Sequence, residues 1–102
     1  MALALPDTSL GRHIRGQLIR CSTSASANYR ATCIAQSRPS FVAKMSIVIE
    51  EIDESAYWLE FIIDEKLLDE KRMLPLLNEA SELIKIFVSA RKTIQWGKLN
   101  NK

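Results

Sequence analysis

Residues 41–63 carry the pattern that most constrains the fold of this chain. Apolar side chains recur there every three or four residues, as they do along one face of an α-helix. This row contains Phe41, Met45, Val48, Ile52, Ala56, Leu59 and Ile63. A second row of Ile47, Trp58 and Phe61, with Tyr57 at its edge, widens the apolar surface beyond what one neighbouring helix would cover. The chain is therefore predicted to bury a long helix between several partners.

A helix is also predicted before residue 37. Thr8 or Asp7 can cap it, and its apolar positions follow at spacings of four, four and three, at Leu10, Ile14, Leu18 and Cys21. The small, hydroxyl-rich stretch 22–27 taken alone could be a linker. Since the helical spacing resumes after it, we interpret it as a tightly packed continuation. A bend is expected near Ser22, because Ser and Thr can divert backbone hydrogen bonds.

Serine and proline mark the start of the central helix. Ser37 can cap it and Pro39 fits only its first turn, so the helix is predicted from about Pro39 to Asp64. The short connection that follows forces an antiparallel return. Asp69 then caps a last helix that ends near Gln95. With no strand-like alternation in the sequence, the predicted fold class is all-α, an antiparallel up-down bundle with three long helical segments.

The chain of 102 residues has the length of one domain. We assign residues 8–96 to the bundle, 1–7 to a short stub and 97–102 to a frayed tail, with Pro75 near the first turn of the last helix. No apolar run reaches the roughly 18 residues of a membrane span. Cys21 and Cys33 form no metal or redox motif and are expected to be free, buried thiols of a reducing cytoplasm. A transit peptide in the arginine- and serine-rich first 38 residues is a weaker alternative.

The net charge of +2 hides an asymmetry along the chain. Residues 1–45 carry six cations and one acid, a net charge of +5, whereas residues 46–102 carry eight cations and eleven acids, a net charge of −3. A basic segment of this kind can mark a nucleic-acid-binding face. The candidate phosphate contacts are Arg12, Arg15, Arg20, Arg30, Arg38 and Lys44. The alternative is that the two oppositely charged halves complement each other within an assembly.

The residue types that carry out catalysis do not group into a recognisable site. Gly11 and Gly16 have the spacing of a phosphate-binding loop, but the lysine and hydroxyl residues that complete the motif do not follow. His13 is the only histidine, and a metal site needs several converging ligands. The acids within residues 50–54 lack the Glu-x-x-His motif of metal-binding bundles. We therefore expect no enzymatic activity, no metal, no cofactor and no small-molecule substrate.

The aromatic residues of the central helix have two interpretations. Tyr57 and Trp58 could stack on bases. Their position on an amphipathic helix favours instead a contact in the core or between subunits. The candidate oligomer interface consists of Ile47, Tyr57, Trp58 and Phe61.

Three stretches of the sequence together resemble one family. They are GRHIRGQLIRCSTSASANYRA, SRPSFVAKMSIVIEEIDESAYWLEFIID and LLNEASELIKIFVSARKT. The segments that carry the resemblance are 17–20, 27–30, 41–45 and the Glu-Ser-x-Tyr-Trp-Leu-Glu run ending at Glu60. Over about residues 5–95 the chain resembles the bacterial four-helix bundle proteins, which include proteins encoded within intervening sequences of large-subunit ribosomal RNA genes.

The resemblance implies an up-down four-helix bundle that associates as a ring-like homopentamer. One related branch, the accessory variability determinant proteins of diversity-generating retroelements, is basic and binds nucleic acid, so nucleic-acid binding here is an analogy. Family members have a full helix before the position of Pro6, where this chain has only Met1 to Leu5. The resemblance therefore implies either a groove that another chain fills or a truncated product of an altered start site.

Two hypotheses follow from the sequence. The first is a small, cytoplasmic, non-enzymatic bundle protein that self-associates and binds RNA or DNA through its basic first half. The alternative is a purely structural protein–protein interaction module, or a truncated remnant, without a nucleic-acid ligand.

Overall fold

The computed structural model describes the backbone of residues 4–100 and the side chains of residues 4–96. Over this range the secondary structure consists of three helices and contains no strand. The helices are α1 (Ser9–Cys33), α2 (Arg38–Asp64) and α3 (Glu70–Asn100). The predicted all-α fold class, with three long helical segments, is confirmed.

Each helix begins at a side-chain cap that the sequence predicted. Thr8, rather than Asp7, caps α1, and its Oγ1 accepts a hydrogen bond from the amide of Gly11 at 3.0 Å. Ser37 caps α2 through a 3.1 Å bond from the third residue of that helix. Asp69 precedes α3, and its Oδ1 accepts a bond from the amide of Lys71 at 3.2 Å. These oxygens satisfy amides that have no carbonyl partner within the first turn of a helix.

The small-residue stretch 22–27 lies inside α1, as predicted, and is not a linker. The Ser22 hydroxyl donates a hydrogen bond to the carbonyl oxygen of Leu18 at 2.7 Å, one turn earlier. In this way a hydroxyl residue is accommodated within a helix, because its donor is satisfied locally.

The last helix differs from its prediction at its end. Pro75 lies within the helix near its first turn, as predicted; it is the sixth residue of α3, and its missing amide removes one hydrogen bond. The helix continues to Asn100 and does not end near Gln95. A glycine such as Gly97 weakens a helix by only about 1 kcal/mol and does not force it to stop. Part of the predicted frayed tail is therefore helical backbone, and residues 101 and 102 lie outside the described residues.

Helix α2 occupies the centre of the bundle and packs against α1 on one side and α3 on the other. Short connections reverse the chain between successive helices, so α2 runs antiparallel to both neighbours. The molecule is elongated, with extents of 55 × 21 × 15 Å. Among the described residues the backbones of α1 and α3 do not come into contact. The rings of Tyr29 and Phe87 approach across the space between these two helices, with centroids 5.4 Å apart.

A cluster of buried core residues lies where the start of α1 meets the end of α2 and the start of α3. It is formed by Leu5, Ile14, Leu18, Leu59, Ile62 and Met73. Leu5 is only 6% exposed, so the segment before α1 folds back and contributes to the core. Burial of a leucine contributes about 1.5–3 kcal/mol, so the stub before residue 8 adds to the stability of the bundle. A glycine at position 11 permits this return, since a Cβ there would overlap the carbonyl oxygen of Pro6.

Candidate nucleic-acid interface

Because the helices are antiparallel, cations that are distant in the sequence lie together at one end of the bundle. This arrangement brings residues 27–33 of α1, 38–49 of α2 and 83–96 of α3 together at one end, which we call the basic end. No aspartate or glutamate occurs in residues 27–49 or 83–102 of the sequence. The cations of the basic end with described side chains are Arg30, Arg38, Lys44, Lys85, Arg91 and Lys92. All 12 acids of the chain lie elsewhere, in the part of the bundle that we call the acidic end.

The six cations predicted to contact phosphate do not form one surface. Arg30, Arg38 and Lys44 lie at the basic end, whereas Arg12, Arg15 and Arg20 lie at the acidic end. Arg12 and Arg30 belong to the same helix, and eighteen residues of helical rise separate them by about 27 Å. The prediction therefore combined two groups of cations with different surroundings.

Arg12 and Arg15 bind groups near the start of α1. The Arg12 guanidinium forms an exposed ion pair with Asp7, with Nη1 and Oδ1 2.8 Å apart. Arg15 Nη2 donates a hydrogen bond to the carbonyl oxygen of Leu5 at 3.3 Å. Arg15 therefore helps to hold the returning segment, and these two cations have partners within their own chain.

Arg20 belongs to a polar network that joins α1 to α2. Its guanidinium pairs with Glu54 and with Glu51, the latter at 3.1 Å. Hydrogen bonding to Glu54 raises the pKa of Arg20. The alternative interpretation of the arginines was pairing with acids of a neighbouring subunit. For Arg20 the pairing occurs within one chain instead.

Cys21 completes this network from the buried side of α1. The thiol Sγ donates a hydrogen bond to Glu54 Oε2 at 3.0 Å. Burial raises the pKa of Cys21 to about 11, and hydrogen bonds from Cys21 and Arg20 lower the pKa of Glu54. A fully buried thiol with a raised pKa is inert, because the thiolate is the reactive form. Both cysteines are free, but Cys33 is exposed, contrary to the prediction that both are buried.

Most cations of the basic end, unlike Arg12 and Arg20, take part in no ion pair of residues 4–96. Of the ion pairs formed by residues 4–96, none involves Arg30, Arg38, Lys44, Arg91 or Lys92. Arg91 Nη1 donates a hydrogen bond to Ser46 Oγ at 3.0 Å, which places the end of α3 beside the start of α2. Lys85 lies at the boundary with the acidic end and pairs with Glu82 at 3.4 Å.

Arg91 and Lys92 were missed by the sequence analysis. They lie in the second half of the chain, whose net charge as a whole is negative. A local count of charges could have found them, because the sequence contains no acid after Glu82. In an up-down bundle the last helix returns to the level of residues 38–49, so its acid-free segment lies at the same end as theirs.

Two large aromatic side chains are exposed at the basic end. Tyr29 is 45% exposed and Trp96 is 58% exposed. The Tyr29 ring rests against Phe87 with an interplanar angle of 39°. Interaction with the Cys33 side chain raises the pKa of Tyr29.

A second aromatic group lies at the acidic end, on the outer side of α2. We call Tyr57, Trp58 and Phe61 the aromatic ridge. The Tyr57 and Trp58 rings lie 5.0 Å apart at 76°, and the Trp58 and Phe61 rings lie 5.9 Å apart at 64°. His13 of α1 packs edge-on against Trp58 at 5.6 Å. Ile47, the fourth predicted interface residue, is 40% exposed and lies further along α2 towards the basic end.

An apolar groove runs between α1 and α3, with α2 as its floor. Its volume is about 340 Å³. The apolar lining residues are Ala25, Tyr29, Val48, Ile52, Leu59, Leu76, Ala80, Leu83 and Phe87. Glu79 is the one charged residue in the lining. Apolar side chains of all three helices are therefore accessible in this groove.

Other kinds of site are not seen in the part of the chain that the structure describes. Three or more metal-binding side chains do not converge anywhere within it. None of its helices is both long and apolar enough to span a membrane.

Comparison with known proteins identifies a family and a similar solved structure. Residues 5–89 match the family described as 23S rRNA-intervening sequence protein. The fold resembles that of a crystal structure from Bacteroides thetaiotaomicron VPI-5482, described as a protein with unknown function from the S23 ribosomal protein family. The two sequences are 33% identical, the match covers 78% of this chain and 73% of the other, and the TM-score is 0.74. No curated protein matches this chain.

Proposed function

Because the chain belongs to the family of 23S rRNA-intervening sequence proteins, we propose that it is a small, non-catalytic binding protein whose basic end contacts nucleic-acid phosphates. The observation that carries this proposal is the absence of any acid from residues 27–49 and 83–102. A phosphate backbone that approaches this end meets several cations and no nearby carboxylate, which favours association.

The number of available cations sets the expected salt dependence. Arg30, Arg38, Lys44, Arg91 and Lys92 take part in no ion pair of residues 4–96. If all five contact phosphates, the logarithm of affinity against the logarithm of salt concentration has a slope of about −3.5 for a single strand and about −4.5 for a duplex.

The test is a salt titration of a labelled 23S rRNA fragment with two variants of equal charge. One variant replaces Arg30, Arg38 and Lys92 of the basic end by glutamine. The control replaces Arg12, Lys71 and Arg72 of the acidic end in the same way. We expect the first variant to bind more than tenfold more weakly and to flatten the slope by about 2–3 units, because each lost contact removes almost one unit. The control variant should bind like the wild type.

Two results would contradict this proposal. One is an absence of binding at low salt, where the electrostatic attraction is strongest. The other is an equal loss of affinity in both variants, which would mean that the net charge, and not the basic end, determines binding.

Self-association is a second candidate function, favoured by apolar surface on both sides of α2. The groove lies on one side of this helix and the aromatic ridge, with Tyr57 55% exposed, on the other. The partner that we propose for these surfaces is a second copy of the chain. Its charges support this, because two copies packed antiparallel place the basic end of one beside the acidic end of the other. The family resemblance implies instead a ring of five copies, whose neighbours are related by a fivefold rotation and are not antiparallel, so the mass in solution distinguishes the two assemblies.

The mass of the protein in solution tests self-association. We expect a mass of several chains for the wild type by light scattering after size exclusion. Leu83→Glu, within the groove, should shift the protein towards the monomer, because a charge buried at an apolar contact is costly. Leu74→Glu, at an exposed position that does not line the groove, is the matched control and should leave the mass unchanged. A wild-type protein that is monomeric at every concentration would refute this candidate.

A further inference from the structure

The basic end combines its cations with exposed aromatic rings. Tyr29 directly precedes Arg30 in α1, and Trp96 follows Lys92 by one turn of α3. Both rings are about half exposed, at 45% and 58%. An exposed ring beside a cation offers a flat apolar face to a base while the cation binds the adjacent phosphate. The chemistry of this end therefore extends beyond phosphate attraction.

The Tyr29 ring is held in place before any ligand binds. It leans on Phe87 of α3 at a centroid distance of 5.4 Å. A ring held by such a contact loses little conformational entropy when a base stacks on its open face. This supports Tyr29 as a stacking platform when the groove, which Tyr29 also lines, is not covered by a second copy.

The separation of the two rings suits a ligand of several nucleotides. Tyr29 lies at the level of Phe87, and Trp96 is nine residues further along α3. Nine residues of helix rise about 13 Å, which corresponds to about four base steps of 3.4 Å. Nine residues are also two and a half helical turns, so Trp96 projects from the face of α3 opposite Phe87, and a strand that contacts both rings must pass around this helix.

A duplex and an unpaired strand differ in whether they can use these rings. In a duplex each base is covered on both faces by its neighbours, so only backbone and groove edges are accessible. The bases of loops, bulges and single strands can turn outward and stack on aromatic side chains. Building on the nucleic-acid function proposed above, we infer that the basic end recognises unpaired nucleic acid by stacking bases on Tyr29 and Trp96 between its cations.

The aromatic ridge provides an internal comparison. Tyr57 is 55% exposed, as open as the rings of the basic end. The ridge, however, lies on α2 among the acids Glu50, Asp53, Glu54 and Glu60. Carboxylates at that density repel a phosphate backbone. Exposure without cations therefore does not make the ridge a nucleic-acid site, and Tyr57 is a matched control for Tyr29.

The test compares an unpaired RNA oligonucleotide with a hairpin duplex of the same length and label. We expect the wild type to bind the unpaired strand at least tenfold more tightly. Tyr29→Leu and Trp96→Leu should each weaken binding of the unpaired strand by about fivefold to a hundredfold, the usual effect of losing one base-stacking ring. The slope against salt should stay unchanged, because no cation is lost. Tyr29→Phe keeps the ring and should bind like the wild type, as should the control Tyr57→Leu.

Fluorescence gives a second readout. The chain has two tryptophans, Trp58 and Trp96, so a Trp58→Phe variant reports Trp96 alone. Its emission should be quenched by the unpaired strand and not by the hairpin. Circular dichroism of each variant shows whether the helices are intact, which separates a lost stacking contact from a lost fold.

The outcomes distinguish this inference from the function on which it rests. Equal affinity for hairpin and unpaired strand, with no effect of Tyr29→Leu or Trp96→Leu, would overturn the stacking inference and leave the phosphate contacts standing. The absence of binding to either RNA at low salt would overturn the proposed function as well.

Discussion

The absence of a side chain at Gly11 allows the segment before α1 to pack against this helix. A Cβ at this position would overlap the carbonyl oxygen of Pro6. The close approach allows Leu5 to reach the core beside Ile14 and Met73. Gly16, five residues later in α1, has nothing within 4 Å of the same position. The two glycines therefore have different roles in the same helix.

This difference makes opposite predictions for two alanine substitutions. Gly11→Ala should lower the free energy of unfolding by about 1.5–3 kcal/mol, because it displaces Leu5 from the core. Gly16→Ala should raise it by about 0.5–1 kcal/mol, since alanine favours the helix and fits the open space. Urea unfolding of both variants measures the two values. An equal increase for both would show that the returning segment contributes nothing to stability.

The buried thiol of Cys21 gives a prediction that depends on pH. Its pKa in the folded protein is about 11, above the ordinary value of 9.0, so the folded state keeps a proton that the unfolded chain releases. The resulting stabilisation is complete below pH 9 and is lost as the pH rises from 9 to 11. We expect wild-type stability to fall in this window more steeply than that of Cys21→Ala.

Thiol labelling checks the same environment. A thiol reagent at pH 8 should modify the native chain once, at Cys33, which is exposed. A Cys33→Ser variant should then react only on unfolding. Rapid native labelling of this variant would be inconsistent with a buried Cys21.

At the scale of the element, the sequence predicted the helix starts better than the helix ends. The Ser37 cap and the end of α2 at Asp64 were both predicted, because capping depends on residues only three or four apart. The end of α3 was predicted near Gln95, whereas the helix continues to Asn100.

Helix α3 also passes through Pro75 without interruption. Tertiary packing holds the helix on both sides of this proline, because Met73 and Ala80 are only 1% and 7% exposed. Local preference is a weak guide where such packing opposes it.

The cap of α2 can be tested directly. Ser37→Ala removes the oxygen that accepts the bond from the amide of Ser40, and should lower the free energy of unfolding by about 1 kcal/mol. Ser81→Ala, at an exposed position in the middle of α3, is the control and should leave stability unchanged or slightly raised. Thermal and urea unfolding measure both. If the two variants behave alike, the cap does not stabilise α2.

At the scale of the whole molecule, the fold creates a charge separation that neither half of the sequence shows. Within the described residues, 27–49 and 83–96 together carry six cations and no acid, a net charge of +6. Residues 4–26 and 50–82 carry six cations and twelve acids, a net charge of −6. The division of the sequence at residue 45 gave only +5 and −3, because it placed Arg12, Arg15 and Arg20 with the basic group. Antiparallel packing of α2 against both neighbours produces the sharper separation.

The open groove leads to a prediction about stability and concentration. If a second copy covers the groove, folding and association are linked, and the melting temperature rises with protein concentration. Leu83→Glu should remove this rise, whereas Leu74→Glu should retain it. Calorimetry over about a hundredfold range of concentration measures the effect. A midpoint that does not change for the wild type would mean that the groove stays open.

The amino-acid sequence was sufficient for the number of helices, their caps and the buried row of α2. Met45, Val48, Ala56 and Leu59 of that row are all buried. These features depend on side chains within one or two turns of each other, so the periodicity of the sequence records them.

The sequence was not sufficient for the place of Leu5 in the core, the pairing of Arg20 with Glu54, or the basic end shared by Arg30 and Arg91. Each of these joins residues that are distant along the chain, and their proximity arises only when the three helices pack. The open groove has the same origin, since it is a space between α1 and α3 that no single helix contains. The physical reason is that a helix sets which side chains share a face, whereas the packing of helices sets which faces meet.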